Sequence, residues 1–191
     1  MARAVLSLLA VAAALALGAR AEAAADGGNT RGNAAHTGAT SAPGVRPPLT
    51  RLWSRRFSGH AGVMVIAGER ILVALSETAL EPARLAAVDA RTGAVAWSHA
   101  FPDGFTAIAA GGGRVFVAVR GRLQALAAAD GSPIWEAGPG TAPIDSITYF
   151  DEMLYTGEVG VSAWRADDGT LVWQRRLDSG ATATAVAGDV V

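Results

Sequence analysis

The sequence contains no cysteine and no lysine. The lack of cysteine excludes disulfide bonds, thiolate-ligated metal sites and a lipid-bearing cysteine at the mature N-terminus. All 16 basic residues are arginine, charged residues make up only 17% of the chain, and the formal net charge is −1. Because the basic residues form no cluster, the sequence offers no electrostatic footprint for nucleic acid or for an anionic membrane surface.

Long hydrophobic runs are equally scarce, and the longest lies near the N-terminus. Arg3 is followed by an uncharged run over residues 4–19 and then by small-residue sites of the Ala-x-Ala type. This run is short for a transmembrane helix, and the pattern is typical of a cleaved secretory signal peptide. We therefore predict a signal peptide over residues 1–25, no stable membrane anchor, and a secreted or periplasmic protein. Residues 26–50 lack an apolar period and are predicted to form an extended leader into the domain.

Three tryptophans recur at a constant interval. Trp97, Trp135 and Trp173 are separated by 38 residues, and a glycine precedes each of them by four positions. A fixed period of this length indicates a repeat architecture. Trp53 lies 44 residues before Trp97, because an insertion over residues 76–84 lengthens that interval.

Each repeat is predicted to contain four short β-strands. In the middle unit, apolar runs over residues 105–110, 115–119, 123–129 and 133–137 are separated by turn residues. Turns spaced by roughly eight to twelve residues leave no room for helices of ordinary length, which argues against a helical repeat. Four-stranded units of this period predict an all-β fold, a β-propeller over residues 51–191. About three complete blades are expected, ending near Trp97, Trp135 and Trp173.

The two ends of this region resemble parts of further blades. The segment around Trp53 has the pattern of a last strand without three strands before it. The segment before Val191 has the pattern of the opening of another blade that stops partway. Three blades do not close a ring, and they leave strand edges uncovered. We therefore expect an incomplete ring and a chain that is a fragment of a longer protein.

The turn before each tryptophan carries a motif. The segment AVDARTGAVAW, residues 87–97, resembles the tryptophan-docking motif of the pyrroloquinoline-quinone (PQQ) type propeller repeats, Ala-x-Asp-x-x-Thr-Gly-Lys-x-x-Trp. In that family the tryptophan stacks on the glycine-containing segment of the neighbouring blade, so the resemblance implies a structural role for these residues. The first copy matches at Ala87, Asp89, Thr92, Gly93 and Trp97. The second copy keeps Gly131 and Trp135, and the third keeps Gly169 and Trp173, whereas the Asp and Thr places differ.

The family resemblance implies two different functions. One is a quinoprotein dehydrogenase that oxidises alcohols or sugars, with PQQ and calcium on the propeller axis. The other is a non-catalytic propeller similar to the outer-membrane assembly lipoprotein, which binds protein partners. Quinoprotein alcohol dehydrogenases commonly carry a vicinal cysteine pair beside the cofactor, so the lack of cysteine counts against that branch and leaves the sugar dehydrogenases open. A carbohydrate-binding propeller is a third possibility, by fold analogy alone.

The polar residues form no recognisable catalytic or metal-binding constellation. His36, His60 and His99 are scattered, without a second histidine or a carboxylate at metal-ligand spacing. Several aspartates, among them Asp103 and Asp130, lie in predicted turns, where turn chemistry explains them. No nucleophile elbow is present. We therefore predict no catalytic and no metal-binding residue, and leave cofactor-binding residues unassigned.

The leader contains one further motif. Residues 31–38, RGNAAHTG, are similar to the segment with which exported proteins of this repeat class begin, outside the dehydrogenases. Together with the missing catalytic set, this favours an exported binding or scaffold module without catalysis of its own. We expect it to hold a protein partner or a small ligand on a propeller face.

Overall fold

The computed structural model describes residues 28–29, 33–37, 47–138, 140–178, 184–186 and 191. Within these ranges the chain is all β, and no helix is long and apolar enough to cross a membrane. The predicted signal peptide lies outside the described residues.

Twelve strands of the described chain form three four-stranded antiparallel sheets. Strands are hydrogen-bonded in sequence order, so each sheet is a meander with the topology of a propeller blade. The sheets do not close a ring, which confirms the predicted incomplete all-β propeller. The first sheet contains β1 (Ala61–Ala67), β2 (Arg70–Leu75), β3 (Ala83–Asp89) and β4 (Val95–Phe101). The second contains β5 (Ala107–Gly111), β6 (Arg114–Val119), β7 (Arg122–Ala127) and β8 (Pro133–Ala137). The third contains β9 (Ser146–Phe150), β10 (Met153–Glu158), β11 (Gly160–Arg165) and β12 (Leu171–Arg176).

The middle sheet packs on both of its faces. Val115 and Val117 of β6 belong to the core shared with the first sheet, whereas Phe116 and Ala118 belong to the core shared with the third. All four side chains are fully buried. Successive side chains of a strand point to opposite faces, so a strand covered on both sides reads as a continuous apolar run. The sequence VFVA therefore follows directly from the stacking of blades.

The turn between the third and fourth strands has the same backbone geometry in each sheet. The amides of Gly93, Gly131 and Gly169 donate to the carbonyl four residues earlier. These glycines have φ of 71°, 74° and 75°, a left-handed conformation that disfavours residues with a Cβ atom.

Side chains support this turn in two alternative ways. The Asp89 carboxylate accepts hydrogen bonds from the amide and the hydroxyl of Thr92, both at 2.9 Å. In the second and third sheets the aspartate stands next to the glycine instead. Asp130 accepts from the Ser132 amide at 2.9 Å, and Asp168 accepts from the Thr170 amide at 2.8 Å. The same turn is thus capped from either side, which explains why these two copies depart from the motif at the Asp and Thr places.

Each of these turns receives a tryptophan from the preceding segment of the chain. The Trp97 indole donates to the Ala128 carbonyl at 3.0 Å, and a Cβ atom on Gly131 would lie 2.7 Å from its ring. Trp135 repeats the contact one sheet later, with its indole bound to the Ala166 carbonyl at 3.2 Å and its ring against Gly169. The glycine therefore provides both the left-handed turn and the space for the neighbouring indole.

The two outer tryptophans of the series differ from each other. Trp53 lies outside the strands, yet its indole donates to the Ala90 carbonyl at 2.9 Å and its ring lies against Gly93. Trp53 thus contacts the glycine turn of the first sheet in the way that Trp97 contacts the glycine turn of the second sheet. Trp173 in β12 is 38% exposed, and within the described residues its ring neighbour is Tyr155, at a centroid distance of 6.3 Å.

We predict that Gly131→Ala lowers the free energy of unfolding by about 2–5 kcal/mol, since a left-handed non-glycine residue costs about 1–2 kcal/mol and an overpacked contact about 1–3 kcal/mol. Gly113→Ala is the matched control. Gly113 has the same φ of 74°, but nothing lies within 4 Å of its Cβ position. It should lose only about 1–2 kcal/mol from the backbone term. Urea unfolding of both variants measures the difference, and equal losses would contradict a packing role for Trp97.

The Asp89 turn predicts a pH dependence of stability. Hydrogen bonds from the amide and hydroxyl of Thr92 hold the pKa of the Asp89 carboxyl below its ordinary value of 3.8. A carboxyl whose pKa is lower in the folded state contributes stability above the unfolded pKa and loses it as the pH falls through the folded pKa. Asp89→Asn should therefore lower the Tm at neutral pH, and its difference from wild type should shrink below pH 3.8.

Asp145→Asn serves as the control for this measurement. Within the described residues the Asp145 carboxylate accepts no hydrogen bond, and only its backbone amide is bonded, to the Gly157 carbonyl. Thermal unfolding between neutral pH and pH 3 distinguishes the two positions. Parallel Tm curves for wild type and Asp89→Asn would show that the Thr92 contacts do not act on stability.

Candidate functional site

A cleft of about 600 Å³ lies between the first and second sheets, at one end of their strands. We call it the face cleft. In a meander, the start of an odd-numbered strand and the end of the strand that follows it lie at the same face. The walls of the face cleft therefore come from the starts of β1, β3 and β5, from the ends of β2 and β6, and from the connection between β4 and β5. A volume of this size is typical of a small-molecule or peptide-side-chain site. The face cleft is lined by His60, Gly62, Val63, Ala74, Leu75, Ser76, Glu77, Ala83, Pro102, Asp103, Gly104, Phe105, Thr106, Ala107, Ile108 and Arg120.

The floor of the face cleft is apolar and well packed. Leu75 and Ile108 are 1% and 3% exposed. Phe105 packs edge-on against Phe101, with ring centroids 5.1 Å apart. Val63, by contrast, is 45% exposed and borders the opening. The floor is therefore apolar and closely packed, and Val63 adds exposed apolar surface at the opening.

The rim of the face cleft carries charge. The Arg120 guanidinium lies 2.5 Å from the Asp103 carboxylate, with 72% and 47% of the two side chains exposed. Arg120 lies in the hairpin between β6 and β7, and its backbone is left-handed, with a φ of 48°. Arginine presents a planar set of donors that recognises carboxylates and carbonyls. The ion pair thus places a directional donor group at the opening.

Hydrogen bonds fix two of the lining segments. The Ser76 hydroxyl accepts from the His60 amide at 3.1 Å, and the Ser76 amide donates to the His60 carbonyl at 3.0 Å. The Thr106 hydroxyl donates to the Ile144 carbonyl of the connection into the third sheet. The strand β5 begins at Ala107, two residues later than the sequence pattern predicts.

The insertion that breaks the 38-residue period forms a braced loop beside the face cleft. The Thr78 hydroxyl accepts from the Glu81 amide at 3.0 Å, and the Ser58 hydroxyl donates to the Glu81 carboxylate at 2.6 Å. Arg84 binds both Ser58 and Glu81. At the tip of this loop Leu80 is 94% exposed. The loop therefore holds a large apolar side chain in solvent, between Glu77 and Ala83, which line the face cleft.

The sequence-predicted docking residues and the face cleft are separate features. Gly93, Gly131 and Gly169 lie between third and fourth strands, whereas none of the docking residues lines the cleft. Asp103 lies in a predicted turn and His60 has no metal-ligand partner in the sequence, and the sequence does not single out Arg120 or Leu80. The broken repeat interval was the signal for the Leu80 loop, but nothing in the pattern pairs Arg120 with Asp103.

The described residues do not fit PQQ with calcium. Calcium takes six to eight oxygen ligands, and no group of three His, Cys, Asp or Glu side chains in the described ranges is arranged to hold a metal ion. We therefore assign no described residue to this cofactor.

Comparison with solved structures finds 252 significantly similar chains. The computationally designed Ika4 protein has a TM-score of 0.60 at 14% identity, over 70% of this chain and 84% of that chain. The quinohemoprotein alcohol dehydrogenase ADHIIG from Pseudomonas putida HK5 has a TM-score of 0.51 at 19% identity, over 63% of this chain and 21% of that chain. BamB from Moraxella catarrhalis has a TM-score of 0.48 at 20% identity, over 63% of this chain and 41% of that chain. The chain thus spans less than half the length of the latter two proteins, and likeness at this identity shows the fold alone.

Comparison with curated protein sequences gives no significant match. The sequence model of one family, described as outer membrane protein assembly factor BamB, matches residues 46–191. This match covers more than half of the chain and includes all three sheets, the docking motifs and the face cleft. The chain therefore belongs to the BamB family of PQQ-like β-propellers.

Proposed function

We propose that this chain is an exported binding module, which holds a protein partner at the face cleft and carries out no catalysis of its own. The observation that carries the proposal is the combination of a buried apolar floor with a charged rim in a cleft of about 600 Å³. Concave apolar surfaces with a few directed polar groups are typical binding sites. Specificity here would come from Arg120, and contact area from the floor.

The neighbourhood of the face cleft favours a protein over a small molecule. Leu80 is an exposed apolar side chain on the braced loop, three residues from Glu77 and Ala83 of the cleft lining. A large apolar side chain that is almost fully exposed gains free energy when a partner covers it, by about 1.5–3 kcal/mol for complete burial. A second exposed side chain, Val63, borders the same opening.

The polar groups of the face cleft support binding and not acid–base chemistry. Within the described residues, no hydrogen bond joins the His60 ring to a hydroxyl or a carboxylate. General acid–base or nucleophilic catalysis needs such a base within hydrogen-bond reach of its partner. Export is supported by the N-terminal pattern of residues 1–25.

We predict that a photo-crosslinking residue at Val63 captures a discrete partner in cells that export the chain, whereas one at Val172 does not. The two side chains are similarly exposed, at 45% and 53%, but Val172 lies on β12, away from the face cleft. Mass spectrometry identifies the captured protein, which is then purified and its Kd for the full chain measured. Equal capture from both positions, or a captured protein that does not bind when purified, would refute the proposal.

The rim ion pair provides a second, quantitative prediction. Arg120→Asn removes the guanidinium while keeping a residue type that tolerates the left-handed backbone. We expect the affinity for the purified partner to fall by about tenfold, equivalent to roughly 1.4 kcal/mol, with little change in Tm. Arg122→Gln is the control, since Arg122 forms a surface ion pair with Glu136, 49% and 45% exposed, outside the face cleft. If both variants weaken binding equally, net charge and not the cleft is responsible.

The dehydrogenase alternative predicts a different outcome. Supplied with PQQ and calcium, the full chain should reduce an electron-acceptor dye no faster than a blank, with alcohols or with sugars as substrate. PQQ-dependent reduction that a calcium chelator abolishes would instead establish a quinoprotein dehydrogenase.

A further inference from the structure

The described part of the leader lies against the inner edges of the sheets. We use inner edge for the side of β1, β5 and β9 that does not pair with the second strand of the same sheet. These first strands are neighbours, because β1 contacts β5 and β5 contacts β9. The sequence predicts an extended leader with one motif, RGNAAHTG over residues 31–38. In the structure residues 28–29 and 33–37 make specific contacts with this region.

Gly28 is fitted closely between the first two sheets. Its carbonyl accepts a hydrogen bond from the Ala110 amide of β5 at 2.6 Å. A Cβ atom at this position would lie 2.1 Å from the Ala110 carbonyl oxygen and 3.6 Å from the Ile66 carbonyl oxygen of β1. The clash is with the Ala110 carbonyl, a backbone atom of β5 that does not move as a side chain would, whereas the distance to Ile66 is an ordinary van der Waals contact. Glycine is therefore the residue that fits here.

Asn29 imitates a neighbouring strand toward the third sheet. Its side-chain oxygen accepts from the Tyr149 amide of β9 at 2.7 Å, and its side-chain nitrogen donates to the Tyr149 carbonyl at 3.0 Å. The residue is only 4% exposed. A pair of bonds to one residue's amide and carbonyl is what an added antiparallel strand would provide. The side-chain amide of Asn29 thus satisfies the backbone N–H and C=O groups of Tyr149 at this strand edge, which would otherwise need water or another chain.

Residues 33–37 form a capped turn that continues this contact. The Asn33 side chain accepts from the Thr37 amide at 3.1 Å and donates to the Thr37 hydroxyl at 2.8 Å. His36 has a left-handed φ of 53°, and its Nε2 atom lies 3.3 Å from the hydroxyl of Thr148, which is fully buried. The Asn, His and Thr of the RGNAAHTG segment therefore each have a structural partner.

The leader contacts equivalent positions of successive repeats. Ala110, Thr148 and Val186 are spaced by the 38-residue period. The Ala110 amide donates to the Gly28 carbonyl, Thr148 contacts His36, and the Val186 amide donates to the Ala34 carbonyl at 2.9 Å. A linker that touched the domain by chance would not meet one register position three times.

We infer that residues 28–29 and 33–37 of the leader are a built-in occupant of the inner edges, a plug on the axial side of the sheets. The family resemblance places PQQ and calcium on that axis, so in this chain the leader takes the place of the cofactor. The face cleft is then the surface left open to a ligand. This inference rests on backbone and side-chain contacts of the leader and does not require the face cleft to have a partner.

Amide hydrogen exchange of the full chain, followed by NMR, tests the plug. Asn29→Ala removes both bonds to Tyr149, so the Tyr149 amide should exchange at least about tenfold faster, while the Val117 amide in the buried β6 keeps its protection. Thr50→Ala, an exposed leader residue outside the described contacts, should change neither amide. Unchanged exchange at Tyr149 in Asn29→Ala would overturn the inference.

A second readout separates occupancy of the axis from local stability. Equilibrium dialysis of the wild-type chain against PQQ with excess calcium should show no saturable binding. Saturable binding of PQQ while the Tyr149 amide stays protected would show that the leader does not occupy the cofactor position. A partner that is captured at Val63 in the same preparation would still support the proposed function, so the two ideas fail independently.

Discussion

The contact of an indole ring with a left-handed glycine in the next sheet is the constraint on which the architecture depends. It needs a glycine for two reasons at once, the backbone conformation and the space under the ring. The indole nitrogen then binds a carbonyl at a fixed register, at Ala90, Ala128 and Ala166, which are one period apart. Apolar packing alone would allow neighbouring sheets to slide past each other, because the hydrophobic effect is non-directional. The hydrogen bond fixes the register, so the buried side chains of β6 meet their partners on both faces.

The sequence predicts this part of the structure well because its physical causes are local and repeated. Glycine four residues before tryptophan, with turn residues around it, defines a hairpin whatever the distant surroundings are. The capping of that hairpin is less predictable. Asp89 and Asp130 occupy different positions of the motif, and only the geometry shows that both cap the same turn. Strand order also followed from the short turns, which leave a meander as the simple solution.

The candidate site and the leader could not be predicted, because they depend on distant pairings without a period. Arg120 meets Asp103 only after β5 and β6 have folded back on each other. Asn29 meets Tyr149 across 120 residues, and nothing in the local pattern of GGNTRGN indicates that partner. The insertion at residues 76–84 was visible as a change of interval, but its bracing by Ser58 and Arg84 was not. Repetition thus determines the scaffold, whereas the departures from it mark the positions where this chain differs from a generic propeller.

The direction of the tryptophan contacts has a consequence for how the protein comes into being. Trp53, Trp97 and Trp135 each dock on a turn that lies further along the chain, at Gly93, Gly131 and Gly169. During synthesis each of these indoles therefore leaves the ribosome before the glycine on which it docks, and it cannot be buried until that glycine has been synthesised. The unit at the growing end always exposes its indole, and the arrival of the next turn covers it. The sheets would therefore assemble from the N-terminus towards the C-terminus. Each indole stays exposed to chaperones and proteases for the time needed to synthesise one further repeat.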